Sequence, residues 1–194
     1  MKEIIAATNN KNKLREIREI LNDITVYSLD DVGIICEPEE NGATFEENAL
    51  IKARAVYALA QKPVIADDSG IIANALHDRP GVYSARFAGT HGDDRANNQK
   101  LLDMLEGETD RTAYFMSAVA LICKEGEFVA SGKTEGEILT TPLGENGFGY
   151  DPLFYSYELS RGFGESTAQQ KNSVSHRAKA LKNLLQIIKD NNIL

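Results

Sequence analysis

Hydrophobic residues recur along this chain at two different spacings, and the switches between them outline its elements. Residues 2–8 form a short apolar run that predicts a strand, and 9–12 form a polar turn. Over 13–21 the spacing becomes helical. Leu14, Ile17, Ile20 and Leu21 share one face, while Arg15, Glu16, Arg18 and Glu19 are expected to face water. A second strand is predicted over 24–29, and 37–43, with Pro38 and Gly42, reads as loop. Thr44-Phe45-Glu46-Glu47 fits a capping box, so a long helix should begin at Thr44. Its expected buried stripe is Phe45, Leu50, Ala53, Tyr57 and Ala60, and Lys62-Pro63 closes it.

Pro63-Val64-Ile65-Ala66 predicts a short buried strand broken by Ser69-Gly70. A helix is predicted over 94–105, ended by Gly107. Residues 112–123 and 127–133 read as antiparallel strands around Lys124-Glu125-Gly126, with 135–139 as an extension of the second. The stretch 140–164, rich in Gly, Pro and aromatics, is too long for an idle connection. A last helix is predicted over 174–189, with Leu181, Leu184, Leu185 and Ile188 facing the core. Early strand-helix-strand alternation and a later hairpin together predict an α/β fold with a mixed sheet.

At 194 residues the chain fits one domain over 1–194, and a chain of this size buries roughly 70% of its unfolded surface. Its two cysteines, Cys36 and Cys123, stand far apart and in no metal-binding spacing, which suits a reduced cytoplasmic protein. No apolar run reaches the about 18 residues of a membrane span, and the first apolar run is too brief for a signal peptide. The net charge of -8, from 29 acidic and 21 basic residues, argues against binding nucleic acid through its phosphates. A small phosphate ligand stays possible, because a few lysines and a metal ion override a diffuse negative surface.

Five groups of residues could carry chemistry. Ala66-Asp67-Asp68-Ser69-Gly70 would set two carboxylates at a strand end, where open α/β sheets place ligands, and such oxygens suit Mg²⁺. An exposed acidic turn explains the same residues equally well. Thr8-Asn9-Asn10-Lys11-Asn12-Lys13 joins a strand to a helix, a junction that offers backbone N–H groups to phosphate, although it is not a Walker A loop. Lys52 lies about two turns into the helix that starts at Thr44, among alanines, and Glu39 and Glu40 precede that helix. Either acid could meet Asp68 at a metal. Gly147-Phe148-Gly149-Tyr150-Asp151-Pro152 places aromatic rings on a bent backbone, either stacking on a planar base or plugging the core. Ser175-His176-Arg177, with Lys171 ahead, could bind an anion or a carbonyl oxygen, or Ser175 could simply cap a helix. His77 and His91 have no metal spacing.

These motifs in this order resemble the inosine triphosphate pyrophosphatase family. The matching segments are ATNNKNK at 7–13, TFEENALIKA at 44–53, IADDSG at 65–70, RPGVYSARFAG at 79–89, GFGYDP at 147–152 and SHRAKAL at 175–181, so the resemblance covers essentially the whole chain. It implies an elongated α/β fold with a central mixed sheet flanked by helices and a cleft between two lobes, in a homodimer. It also implies Mg²⁺-dependent hydrolysis of inosine, deoxyinosine and xanthosine triphosphates to the monophosphate and pyrophosphate. By that resemblance Thr8, Asn9, Asn10, Lys11, Asn12 and Lys13 would bind the triphosphate, with Lys52 adding charge. Asp68 would hold the metal and act as base, Ser69 would touch substrate, and Glu39 would be the second metal ligand. Phe148, Gly149, Tyr150, Asp151, Lys171, His176 and Arg177 would build the nucleobase and sugar site, His176 and Arg177 donating to a 6-oxo group. Asn9, Asn12, His77-Asp78 and the 166–170 stretch depart from the family pattern without removing a proposed catalytic group.

Overall fold

Residues 3–193 are described by a computed structural model. Lys2, part of the first predicted strand, lies outside the described residues. The elements are β1 (Glu3–Ala6), α1 (Lys11–Ile20), β2 (Thr25–Tyr27), α2 (Phe45–Ala60), β3 (Val64–Ala73), β4 (Arg79–Pro80), α3 (Asp94–Met104), β5 (Thr112–Cys123), β6 (Gly126–Ile138), β7 (Phe154–Ser156), β8 (Arg161–Gly162), α4 (Ala168–Val174) and α5 (His176–Asp190). Strand order is β2-β1-β3-β5-β6-β7-β8, with β4 on β3. β1 runs parallel to β2 and β3, while β7 pairs antiparallel with β6 and β8, which gives the expected mixed sheet. No helix among the described residues is long and apolar enough to cross a membrane.

The chain divides into two compact units. The first holds the residues up to Asp68, Ser117–Gly132 and those from Arg177 onward; the second holds Ser69–Met116 and Lys133–His176. In the first unit Ile4, Ala6, Ile17, Leu21, Val26, Ile65, Leu121, Leu181, Leu184 and Ile188 form one apolar core. Removal of that surface from water supplies the main drive for the unit to fold. The second unit packs Ile71, Leu101, Leu105, Ile138 and Leu153 with aromatic rings. Phe115 meets Phe154 edge-on at 4.8 Å, and Phe154 meets Phe163 at 5.0 Å, the offset geometry that ring quadrupoles favour.

Local chemistry explains the helix starts. The Thr44 hydroxyl accepts from the Glu47 amide while Glu47 reaches back to the Thr44 amide, so the predicted capping box is formed. The stripe of α2 is rotated from the expected one, however. Phe45, Asn48, Ala49, Ala53 and Val56 are buried, whereas Leu50, Tyr57 and Ala60 are half-buried. The rotation puts Asn48 inside, where it has polar work to do.

Two further expectations are corrected, for β3 and the last helix, and that for 140–164 is filled in. β3 does not stop at Ala66 but runs on through Asp67-Asp68-Ser69-Gly70 to Ala73, because both carboxylates find cationic partners and Ile71-Ile72 resume a β-forming, buried run. The 140–164 stretch contains β7 and β8. The last helix is preceded by a separate one, α4, started by a second capping box in which the Thr167 and Gln170 side chains serve each other's amides. Ser175 stands between α4 and α5 in extended conformation.

Candidate functional site

Consecutive residues of a strand point to opposite faces, so Asp67 and Asp68 of β3 meet different surroundings. Asp67 is fully buried. Its oxygens accept from Arg177 Nε at 3.2 Å and Nη2 at 3.0 Å, from Ser117 Oγ at 2.5 Å, and pair with Lys13 Nζ at 2.8 Å. Arg177, from α5, is 1% exposed and also pairs through Nη1 with Glu16 of α1. A carboxylate in such a place must be compensated. Burial pushes its proton affinity up, but the Arg177 and Lys13 charges outweigh it and hold Asp67 well below the usual carboxylate range.

Asp68 has the opposite balance. Its Oδ1 pairs with Lys52 Nζ at 2.9 Å and its Oδ2 accepts from Asn48 Nδ2 at 3.3 Å. Lys52 Nζ also lies 3.3 Å from Glu40. Here burial outweighs the Lys52 and Lys13 charges, and nearby Glu40 adds to it, so the Asp68 carboxyl is pushed above its ordinary range. Burial works against the Lys52 charge, yet Asp68, Glu40 and Asp67 together raise its proton affinity. Asn48 holds the neighbouring loop as well, since its Oδ1 accepts the Gly42 amide at 2.8 Å. A Cβ on Gly42 would fall 2.7 Å from Asn48 Oδ1, so only glycine permits this approach.

The segment between β1 and α1 is organised by its own side chains. Asn10 caps α1, its Oδ1 accepting the Asn12 and Lys13 amides, and the Thr8 hydroxyl accepts the Asn10 amide at 3.1 Å. The expected free amides of this helix start are therefore partly engaged. Asn9 donates to Glu37 at 3.1 Å. Lys11 is exposed and Asn12 half-buried, and Lys13 lies on Asp67. Thr8, Asn9 and Lys11 also line a cavity of about 540 Å³ with Leu14, Arg15 and Ser28.

In the second unit the 147–152 segment is tied down at Phe148, Gly149, Tyr150 and Asp151. Asp151 Oδ2 accepts the Phe148 amide at 2.8 Å and Lys171 Nζ at 2.6 Å. The Lys171 ammonium lies 4.6 Å from the Phe148 ring centroid, a cation–π contact. A Cβ on Gly147, which has φ +81°, would overlap the Asp151 carboxylate. Tyr150 is buried, and its hydroxyl donates to the Ser84 carbonyl at 2.9 Å. Burial and the Asp94 charge push that phenol above its usual range. Phe148 remains half-buried. His176, 3% exposed, stacks on Phe115 at 4.6 Å and 9°. Ser69 is half-buried on β3.

Several sequence expectations change with this geometry. The Asp pair is buried in mid-strand rather than displayed on a turn at a strand end. Glu39 is exposed, and its neighbour Glu40 joins the Lys52–Asp68 cluster instead, because the Gly42–Asn48 contact fixes the loop in that register. Arg177 is held by Asp67 and Glu16 instead of standing as an open donor for a base, since a buried guanidinium must be matched by carboxylates. Glu16 was expected to face water and is buried; its partner lies 161 residues away, beyond any local pattern. Tyr150 packs inward, the core-plug alternative for that ring. Asn48 was missed, although its place one turn before Lys52 on the same helix face was a readable signal.

The donor set at Asp68 can be tested against a metal ion. Asp68 and Glu40 are hard oxygen donors already bridged by one ammonium, and Mg²⁺ commonly takes one or two carboxylates with water and phosphate in its other positions. No cluster of three or more His, Cys, Asp or Glu that could hold a metal occurs among the described residues. The pair fits Mg²⁺ and not a closed, all-protein site.

A protein of Lactiplantibacillus plantarum named dITP/XTP pyrophosphatase is 50% identical over 187 residues, 94% of this chain and 92% of its own. Another of that name, from Bacillus subtilis, is 47% identical over 193 residues, covering 97% of this chain and 98% of its own. The Staphylococcus aureus Ham1 protein structure aligns with a TM-score of 0.87 at 41% identity, over 98% of this chain and all of the other. The structure of a nucleoside-triphosphatase, or dITP/XTP pyrophosphatase, from Mycobacterium abscessus aligns with a TM-score of 0.75 at 44% identity, over 94% and 98%. With residues 4–187 matching the sequence profile of the Ham1 family, this chain belongs to that family.

Proposed function

We propose that this protein hydrolyses dITP, XTP and ITP to the nucleoside monophosphate and pyrophosphate, with Mg²⁺. The observation that carries the reading is the pair of adjacent buried carboxylates, Asp67 held as a firm anion and Asp68 pushed toward a base. Two environments that drive neighbouring acids apart are how proton-transfer roles are commonly divided. Relatives named dITP/XTP pyrophosphatase support the substrate class.

In this reading Lys13 and Lys52 turn from their carboxylates toward the triphosphate, and Lys11 adds charge from the exposed start of α1. Asp68 accepts the proton of a water molecule that attacks the α-phosphorus. The bond to the bridging oxygen breaks, and pyrophosphate leaves. Asp68 and Glu40 would hold Mg²⁺, which when bound supplies charge neutralisation on the phosphate oxygens. Asp67, bound to Arg177 and Ser117, holds the Lys13 ammonium beside the site until the triphosphate takes its place as partner. Within the second unit, the half-buried Phe148 ring, backed by Lys171, is the surface on which a planar base would stack.

Pyrophosphate release from XTP, dITP, ITP, ATP, GTP and pyrimidine triphosphates with Mg²⁺ tests the reading. Turnover of XTP, dITP and ITP far above the others is expected. A preference for a pyrimidine triphosphate, or phosphate in place of pyrophosphate as product, would overturn it.

A further inference from the structure

Helix α3 carries a row of polar side chains, Asp94 exposed, Asn97 buried and Asn98 half-buried, that bond to backbone groups. Asp94 accepts the Gly149 amide at 2.7 Å, and Asn98 donates to the Gly149 carbonyl at 2.9 Å. These positions, one turn apart, share a helix face, so they grip both polar groups of one residue. Asp94 is not needed as a cap, because Asp93 already serves the Ala96 amide at 3.0 Å. Asn97 treats the preceding loop alike, accepting the Ala88 amide at 2.7 Å and donating to the Ala85 carbonyl at 3.3 Å. The Tyr150 hydroxyl then ties the Gly149 segment to that loop through the Ser84 carbonyl.

The segment being gripped has reason to need it. Gly147 and Gly149 lie at φ +81° and +62°, and glycines on both sides of Phe148 leave it with more backbone freedom than any other residue type would. A ring meant to present a face must have that freedom removed. We propose that Asp94 and Asn98 are positioning residues that fix the Phe148 ring for the nucleobase, and so set nucleotide affinity rather than the chemical step. The inference rests on the reading of Phe148 as the base platform.

The test is steady-state kinetics with XTP and dITP on Asp94→Ala, Asp94→Asn, Asn98→Ala and Phe148→Ala. Inorganic tripolyphosphate serves as a competitor that has no base, and thermal unfolding is measured alongside. Loss of a charged hydrogen bond should raise KM about tenfold in Asp94→Ala, with kcat changed by less than about twofold. Asn98→Ala should act in the same direction. Inhibition by tripolyphosphate should not move. Asp94→Asn keeps an oxygen acceptor and should behave almost like the parent protein. An unchanged KM in both alanine variants overturns the proposal, provided that Phe148→Ala does raise KM. So does a KM that moves together with the tripolyphosphate inhibition, or an Asp94→Asn variant as impaired as Asp94→Ala; either result marks a general structural role. If Phe148→Ala itself leaves KM unchanged, the base-platform reading has failed, and the positioning role fails with it.

Discussion

The buried lysine–aspartate pairs of the two units use the same functional groups for opposite ends. In the first unit Lys52 faces Asp68 and Glu40, and its side chain keeps 13% exposure; Lys13, on Asp67, keeps 17%. In the second unit the Lys171–Asp151 pair keeps 5% and 2%, and aromatic rings lie against the ammonium. Asp151 spends the same oxygen on the Phe148 amide. In the proposed function the partly open pairs exchange partners when the triphosphate arrives, whereas the sealed pair can act only as a strut for the backbone. Charge complementarity alone therefore does not identify a reactive site; access and a carboxyl displaced from its ordinary range do.

The largest effect expected is on turnover. Asp68→Asn removes the proposed base and should lower kcat by roughly 10²- to 10⁴-fold. Pyrophosphate release at saturating Mg²⁺ measures this, and turnover near that of the parent would remove Asp68 from the chemistry. Circular dichroism should show a folded variant, because this carboxyl is costly to keep ionised rather than a source of stability.

Next in size is the sealed pair. Lys171→Met leaves the Asp151 carboxylate in a buried, aromatic setting, and removing one partner of such a pair typically costs about 3–5 kcal/mol. Urea unfolding of the single variant and of Lys171→Met combined with Asp151→Asn gives the check. The double variant should recover part of the loss, and no recovery would mean that the pair is not the strut described.

Asp67→Asn probes the other unit. The substitution leaves Arg177 with Glu16 but weakens two cationic contacts, so about 2 kcal/mol of stability should be lost at pH 7. The acid limb supplies the sign. The folded carboxyl lies well below its unfolded value of about 3.9, so its contribution is present above that pH and is lost as pH falls through the folded value. The difference between parent and Asp67→Asn should therefore hold near neutrality and shrink below about pH 4. A difference that grows with acidity would show that Asp67 is not the stabilised anion.

How much of this was legible depended on distance along the chain. The α2 capping box is complete within four residues and was read correctly from them. The capping box of α4 is equally local, complete in Thr167 to Gln170, and is readable from the sequence in the same way. β3 could not be followed past Ala66, because Asp67 and Asp68 are tolerated only through Lys13, Lys52 and Arg177, which arrive from three separate helices. For the same reason Glu16 looked like a surface acid. That Glu40 rather than Glu39 reaches Lys52 turned on a single contact, Gly42 with Asn48, that no periodicity reveals. Local signals set the elements, while the charges that make the site were decided by tertiary pairing.

The smallest stability effect expected is at Lys52, where the contrast with Lys171 is sharpest. Lys52→Met removes an ammonium of similar burial chemistry, yet the carboxyl left behind is already pushed above its ordinary range and sits beside Glu40. Without the ammonium its proton affinity rises further, so Asp68 can meet the loss by taking a proton, an escape less open to a carboxylate held as firmly as Asp67. The stability cost at pH 7 should then be only about 1 kcal/mol, well under that of Lys171→Met. An acid with a raised folded value gains stability as pH falls through that value, so the deficit should narrow as pH is lowered, read here at pH 7 and at pH 5. Over the same range kcat/KM should stay depressed for every triphosphate, because the lost charge faced phosphate and not the base. Urea unfolding at the two pH values decides it: a deficit as large as that of Lys171→Met, unchanged by acid, would make Lys52–Asp68 a strut like the other pair and erase the distinction between them.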